Sequence, residues 1–337
     1  MPDPHPTPEH PRPDRPSDAP DHPTRTTYGS VRKARIDSLA AAGVDDRPGV
    51  SLIRGAWQRL RRNPVFLIGL TITVAFVMLA IIAPWIAPWD VTARPLLDKV
   101  RPQTNPVPGP EAGHLLGGDD RGRDLLSRLI VGSRQTLVVG VFATLFGLLG
   151  GVTLGTIAGA VGGWVDSLVM RIVDVMLSIP SLLLAFTIAS LARSPSQWTL
   201  IVAIAVIQVP VFARLLRGSM LAQRSSDHVL AARSLGVRPR AIVFRHMLPN
   251  SLGPVIVQAT LSLAVAIIDA AALSFLGLGN PDQRQPEWGQ MLGLAQKYIS
   301  EAPHLAFYPA GCIIVVALGF TLMGESLREA LDPKSRR

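Results

Sequence analysis

The residues able to carry chemistry in this chain are few and far apart. His114, His228, His246 and His304 are scattered between long apolar runs, and the single cysteine, Cys312, falls inside one of those runs. A metal centre or a nucleophilic site needs His, Cys, Asp, Glu or Ser gathered in one place, and this spacing gathers none. One cysteine also leaves no disulfide framework and no thiolate zinc site. No Gly-x-x-x-x-Gly-Lys-Ser/Thr stretch occurs, so nothing here cradles nucleotide phosphates. What remains is a pair of carboxylates in apolar surroundings. An ionisable group at membrane depth faces protein or a water-filled cavity, so Asp174 and Asp269 are candidates for lining a solute path. Arg171 lies three residues before Asp174 on one helix face and can neutralise it. For Asp269 a structural pairing is equally open.

The elements that must hold these groups are helices in a bilayer. The 337 residues are 48% hydrophobic and only 17% charged, too apolar for a soluble enzyme of this size. Six windows are long and apolar enough to span, at residues 65–83, 136–160, 168–192, 198–216, 252–273 and 305–323. The fold class is therefore all-α, a polytopic membrane protein with six transmembrane helices. Residues 1–50 are rich in Pro, His, Asp and Arg and predict a disordered tail; His5, His10 and His22 within it are separated by prolines and read as solvated. Residues 51–337 form the membrane domain. The net charge of +9 is carried by Arg beside the spans rather than by a folded basic domain, which points to topology and not to nucleic acid. Arg54, Arg59, Arg61 and Arg62 precede the first span, and Arg217, Arg224, Arg233, Arg238, Arg240 and Arg245 fill the loop at 217–250. An even number of spans puts that loop and both termini on one side, the cytoplasmic one by the positive-inside rule. Gly151, Gly155, Gly159 and Gly163 form a four-residue ladder on the second span, suited to close helix contact inside this chain or with another. Pro180 and Pro210 predict kinks.

The loop at 217–250 carries the most information. Ser226 or Asp227 can cap a short helix over Val229 to Leu235, with Gly236 as its stop, and Pro239 opens a second short helix that Pro249 ends. The first helix shows small and apolar residues flanked by Arg, a design for docking into a partner's groove rather than for bare solvent.

Val229-Leu230-Ala231-Ala232-Arg233-Ser234-Leu235-Gly236, followed by His246-Met247-Leu248-Pro249, resembles the EAA loop of bacterial ABC importer permeases, with Leu230 standing where that pattern has Glu. Arg62-Asn63-Pro64, His114-Leu115-Leu116-Gly117, Gly122-Arg123-Asp124-Leu125-Leu126-Ser127-Arg128, Ala272 to Gly279 with Trp288-Gly289, and Leu327 to Pro333 resemble the C-type permease of the dipeptide, oligopeptide and nickel importers. The resemblance implies a cytoplasmic coupling helix using Leu230, Ala231, Ala232, Arg233 and Gly236, with Asp227 as its cap, and binding-protein contact at Gly279, Glu287 and Trp288. It also implies a second permease, two ATPase subunits that bind ATP and Mg, an extracytoplasmic solute-binding protein, and a bacterial cytoplasmic membrane. This chain itself would hold no cofactor and catalyse nothing. Peptide is the implied solute, with nickel or another small solute as alternatives; a self-sufficient secondary transporter is the competing class.

Overall fold

The computed structural model describes residues 52–331, and the readings of the tail at 1–50 and of Asp332-Pro333 lie outside them. The described chain is a helical bundle. Its helices are α1 (Leu52–Leu60), α2 (Pro64–Ile86), α3 (Leu125–Val161), α4 (Gly163–Ser178), α5 (Ser181–Ser190), α6 (Gln197–Arg224), α7 (Asp227–Ser234), α8 (Pro239–Phe275), α9 (Trp288–Ala295) and α10 (His304–Leu331). Local sequence sets the starts of the long ones. Asn63 Oδ1 accepts the Val65 N–H at 2.9 Å ahead of Pro64, Asp124 Oδ2 accepts the Ser127 N–H at 2.8 Å, and Ser196 Oγ accepts the Thr199 N–H at 3.1 Å. Each side chain satisfies a donor that has no partner within its helix.

Five helices are long and apolar enough to cross a membrane: α2, α3, α6, α8 and α10. The third expected span is not one rod, because α4 and α5 meet at a 94° bend. Ile179 is extended (φ −89°, ψ 133°), as the residue before a proline prefers to be. Together the pair still traverses the bundle. A Cβ on Gly159 would meet Met220 and one on Gly162 would meet Arg224, so α4 starts where α6 ends. The Gln197 side chain donates to Gln135 near the start of α3 at 2.8 Å, so α5 leads back to the opposite end. Six crossings result, and both ends of the described chain lie at the end that carries α7.

Two loop boundaries differ from expectation. α6 continues through Arg217 to Arg224, where Arg217 holds Asp166 of α4 at 2.6 Å. The second short helix is not separate, since α8 runs from Pro239 straight through Pro249. A π-helical turn at Ile242–Met247 makes this possible. It widens the coil where the Pro249 ring would otherwise strike the carbonyl one turn back, and the Asn250 amide donates to His246 O at 2.7 Å.

The glycine ladder packs within the chain. Cβ atoms on Gly147, Gly151 and Gly155 would come within 2.8, 2.3 and 2.7 Å of α6 atoms at Gln208, Phe212 and Ala213. In lipid, helix association depends on such packing rather than on water exclusion. Gly163 is not a rung, having no atom near its Cβ position; Gly147 extends the ladder instead.

Candidate coupling surface and far-end cap

α7 is seated by two residues. Val229 and Ala232, three apart and so on one face, are buried at 0% and 6% exposure among Phe212, Leu216 and Met220 of α6 and Ile242, Met247 and Val255 of α8. Ala232 therefore anchors the helix, a correction to its expected place on the docking face. The opposite face is open: Leu230 is 46% and Leu235 83% exposed, and Asp227, Ala231, Arg233 and Gly236 are exposed beside them. Asp227 is not the cap. Ser226 holds that position and its hydroxyl donates to Gln223 O at 2.6 Å, leaving Asp227 as the first helical residue, where its charge complements the helix dipole. Phe244, 60% exposed, adds an apolar side chain that the sequence reading passed over. Its signal was a large aromatic between Arg240 and Arg245.

The end of α7 is closed tightly. Val237 N–H donates to Ala232 O at 3.1 Å and Gly236 N–H to Arg233 O at 3.0 Å, the paired bonds of a Schellman motif. Gly236 sits at φ +73° with no atom near a Cβ, so a side chain there meets only its own backbone. Gly236→Ala is expected to cost about 1–2 kcal/mol and to lower the melting temperature of the purified chain. Gly236→Asn, which tolerates this conformation better, loses less; thermal melts of the two variants check the order.

The membrane-depth carboxylates are not brought together. Asp174 pairs with Arg214 of α6 rather than with Arg171, and this pair is exposed on the bundle surface. Asp269 lies toward the other end of α8, half-buried, with no hydrogen bond or ion pair among the described residues.

At the end opposite α7, residues 87–124 and 276–287 build a cap. His114 Nδ1 lies 2.8 Å from Asp124 Oδ1 and its ring stacks on Trp89. The Trp288 indole N–H donates to Leu129 O at 2.8 Å, and its ring fills the space left by Gly132 beside Phe76. Trp288 and Glu287 are 2% and 5% exposed and Gly279 is buried. None of the three presents a surface to a partner, because the α8–α9 loop folds inward and uses them as its core.

The Glu287 carboxylate is buried, and among the described residues only the Ser274 hydroxyl donates to it, at 2.7 Å. Burial pushes its carboxyl up to about 7 from 4.5, the Ser274 hydrogen bond opposing the shift in part. The folded state thus holds this proton more tightly than the unfolded chain. The associated stability is complete below about pH 4.5, falls between pH 4.5 and 7 by about 3 kcal/mol, and is level above. Purified wild type is expected to melt lower as pH rises through that window, and Glu287→Gln to remove this component of the slope.

The family model for the binding-protein-dependent transport system inner membrane component matches residues 151–337, and that for the N-terminal TM domain of oligopeptide transport permease C matches residues 51–105. A dipeptide transport system permease protein of Alkalihalophilus pseudofirmus is 42% identical over 295 residues, covering 87% of this chain and 93% of that one. A glutathione transport system permease protein of Pectobacterium atrosepticum is 36% identical over 303 residues, covering 90% and 97%. Among solved structures, inward-facing MetNI methionine ABC transporter matches with a TM-score of 0.50 at 21% identity, over 61% of this chain and 96% of that chain. At that identity the likeness speaks for the fold alone.

Proposed function

The chain belongs to the family of binding-protein-dependent transport system inner membrane components, and from that premise we propose that it is one permease half of an ATP-driven importer of peptides. The observation that carries this reading is α7, a short helix pinned by Val229 and Ala232 with Leu230 and Leu235 turned outward. Exposed leucines of this kind are unfavourable in water and favourable in a partner's groove. The partner is an ATPase pair in the cytoplasm, a second permease completes the passage, and a solute-binding protein delivers from outside. In this reading the α7 end and both ends of the described chain face the cytoplasm of a bacterial inner membrane. Relatives named for dipeptide and glutathione transport support peptide as the solute.

Force follows the packing. ATPase closure pushes α7, whose anchors bear on α6 and on the π-helical turn of α8. His228 on α7 lies 3.3 Å from the Asn250 amide of α8, a second tie between the same elements. The short helix closed at Gly236 transmits displacement that a flexible loop would absorb. Tilting of α6 and α8 then opens the passage outward, and relaxation of the ATPases returns it inward.

Uptake of labelled dialanine tests this reading. Depleting ATP with the proton gradient intact is expected to stop uptake, while collapsing the gradient with ATP maintained leaves it. The reverse pattern contradicts the proposal and assigns the chain to the secondary carriers.

A further inference from the structure

We propose that a basic groove at the end opposite α7 docks carboxylate side chains of the extracytoplasmic solute-binding protein, an inference that rests on the importer reading above. Three segments of the cap form the groove: residues 92–94, 121–123 and 281–284. Arg94, Arg121, Arg123 and Arg284 line an opening of about 740 Å³, with Asp282 as the one acidic residue of its lining.

The floor is fixed. Buried Arg123 donates from Nε to Asp119 Oδ2 at 2.7 Å, and from Nη1 and Nη2 to the carbonyl and side-chain oxygens of Gln283 at 3.2 Å each. Arg128 reaches the same Gln283 carbonyl from below at 3.0 Å. Asn280 Oδ1 accepts the Asp282 N–H and Asp282 Oδ1 accepts the Arg284 N–H, both at 3.0 Å. On this base Arg94, Arg121 and Arg284 are exposed, and their guanidiniums make no hydrogen bond or ion pair among the described residues. Asp119 answers Arg123, and Asp120 beside Arg121 offsets part of the charge, but four arginines against Asp282 leave the lining net positive, and arginine on the translocated side runs against the positive-inside preference. Incoming carboxylates balance that charge, and the guanidinium fork matches them two bonds at a time.

Position argues for a soluble protein over a lipid headgroup. α3 has 37 residues, about 55 Å at its usual rise, against a hydrocarbon core of about 30 Å. Its apolar window begins near Thr136, so Leu125 stands about 16 Å beyond the core edge, past a headgroup layer of about 5–8 Å. Residues 121–123 lie just before Leu125, which puts the groove in water.

The test uses the assembled importer in nanodiscs, and the solute-binding protein that restores ATP-dependent uptake to the reconstituted wild type. Arg94→Glu/Arg121→Glu/Arg284→Glu is expected to leave ATPase association unchanged and to weaken binding of that protein by about tenfold or more, with the wild-type affinity falling as salt rises. Arg101→Glu, exposed on the same cap but outside the groove, is expected to bind as wild type. Unchanged affinity in the triple variant overturns the proposal. So does loss of co-purifying phosphatidylglycerol with unchanged protein affinity, which assigns the groove to lipid. If no binding protein restores ATP-dependent uptake to the wild type, the importer reading itself fails.

Discussion

A chain carrying Leu230→Asp and Leu235→Asp is expected to express and fold, yet to lose ATP-driven uptake by a factor of thirty or more. Both leucines are exposed, at 46% and 83%, and neither belongs to the apolar cluster that seats α7; surface substitutions away from such packing usually cost within about 0.5 kcal/mol. The seat under α7 is made by Val229 and Ala232, which stay in place. In the proposed reading, what changes is the α7 face that docks on the ATPases. Apolar anchors that fill a partner's pocket carry about 2 kcal/mol or more each, about thirtyfold, and a carboxylate forced into that pocket adds its own desolvation cost. The checks are the melting temperature of the purified chain, which should match wild type, and ATP-dependent uptake, which should not. A converse change separates seating from docking: Val229→Asp buries a charge at a fully enclosed position and is expected to lower the melting temperature as well.

Gly151→Leu is expected to abolish folded protein altogether. A Cβ at this position would lie 2.3 Å from Phe212 Cβ, 2.8 Å from Val209 O and 3.0 Å from Ala213 N. Two of these are backbone atoms of α6, which cannot rotate away, so α3 and α6 must separate along their whole shared seam. The adjoining rungs at Gly147 and Gly155 then lose contact too. Overpacking of a well-packed site costs about 1–3 kcal/mol even where side chains can yield; here they cannot, and the loss exceeds about 5 kcal/mol, a large share of a domain's stability. Gly218→Ala on α6 is the control. Nothing lies within 4 Å of its Cβ position, and alanine favours the helix by about 1 kcal/mol. Detergent-extracted yield and size-exclusion profile distinguish the two.

The comparison of α4–α5 with α6 explains which features were legible in the sequence. Apolar windows located every crossing because the bilayer demands their length. Both Pro180 and Pro210 signalled kinks by the same local rule, but only Pro180 breaks its span; Pro210 sits inside continuous α6. The difference is tertiary, since the turn around Pro210 is packed against the glycine ladder through Val209 and Phe212. On α7 the sequence showed the helix, its apolar exposure and the glycine stop. It left Ala232 on the wrong face and the cap one residue late, at the usual limit for helix ends. The far-end cap was least legible. Trp288 meets Leu129 across 159 residues of chain, and no local pattern encodes that meeting, so a buried core residue read as a contact surface. Asp174 was likewise matched to its near neighbour Arg171, whereas its partner Arg214 comes from the next crossing.

Dependence of this chain on an ATP-driven complex is tested by isolating it from its native membrane in mild detergent, identifying co-purifying proteins by mass spectrometry, and measuring solute transport by the same preparation in proteoliposomes. The expected result is recovery of a second permease and ATPase subunits bearing phosphate-binding loops, with transport only when ATP is supplied. Recovery of the chain alone, transporting in the absence of ATP, would contradict it.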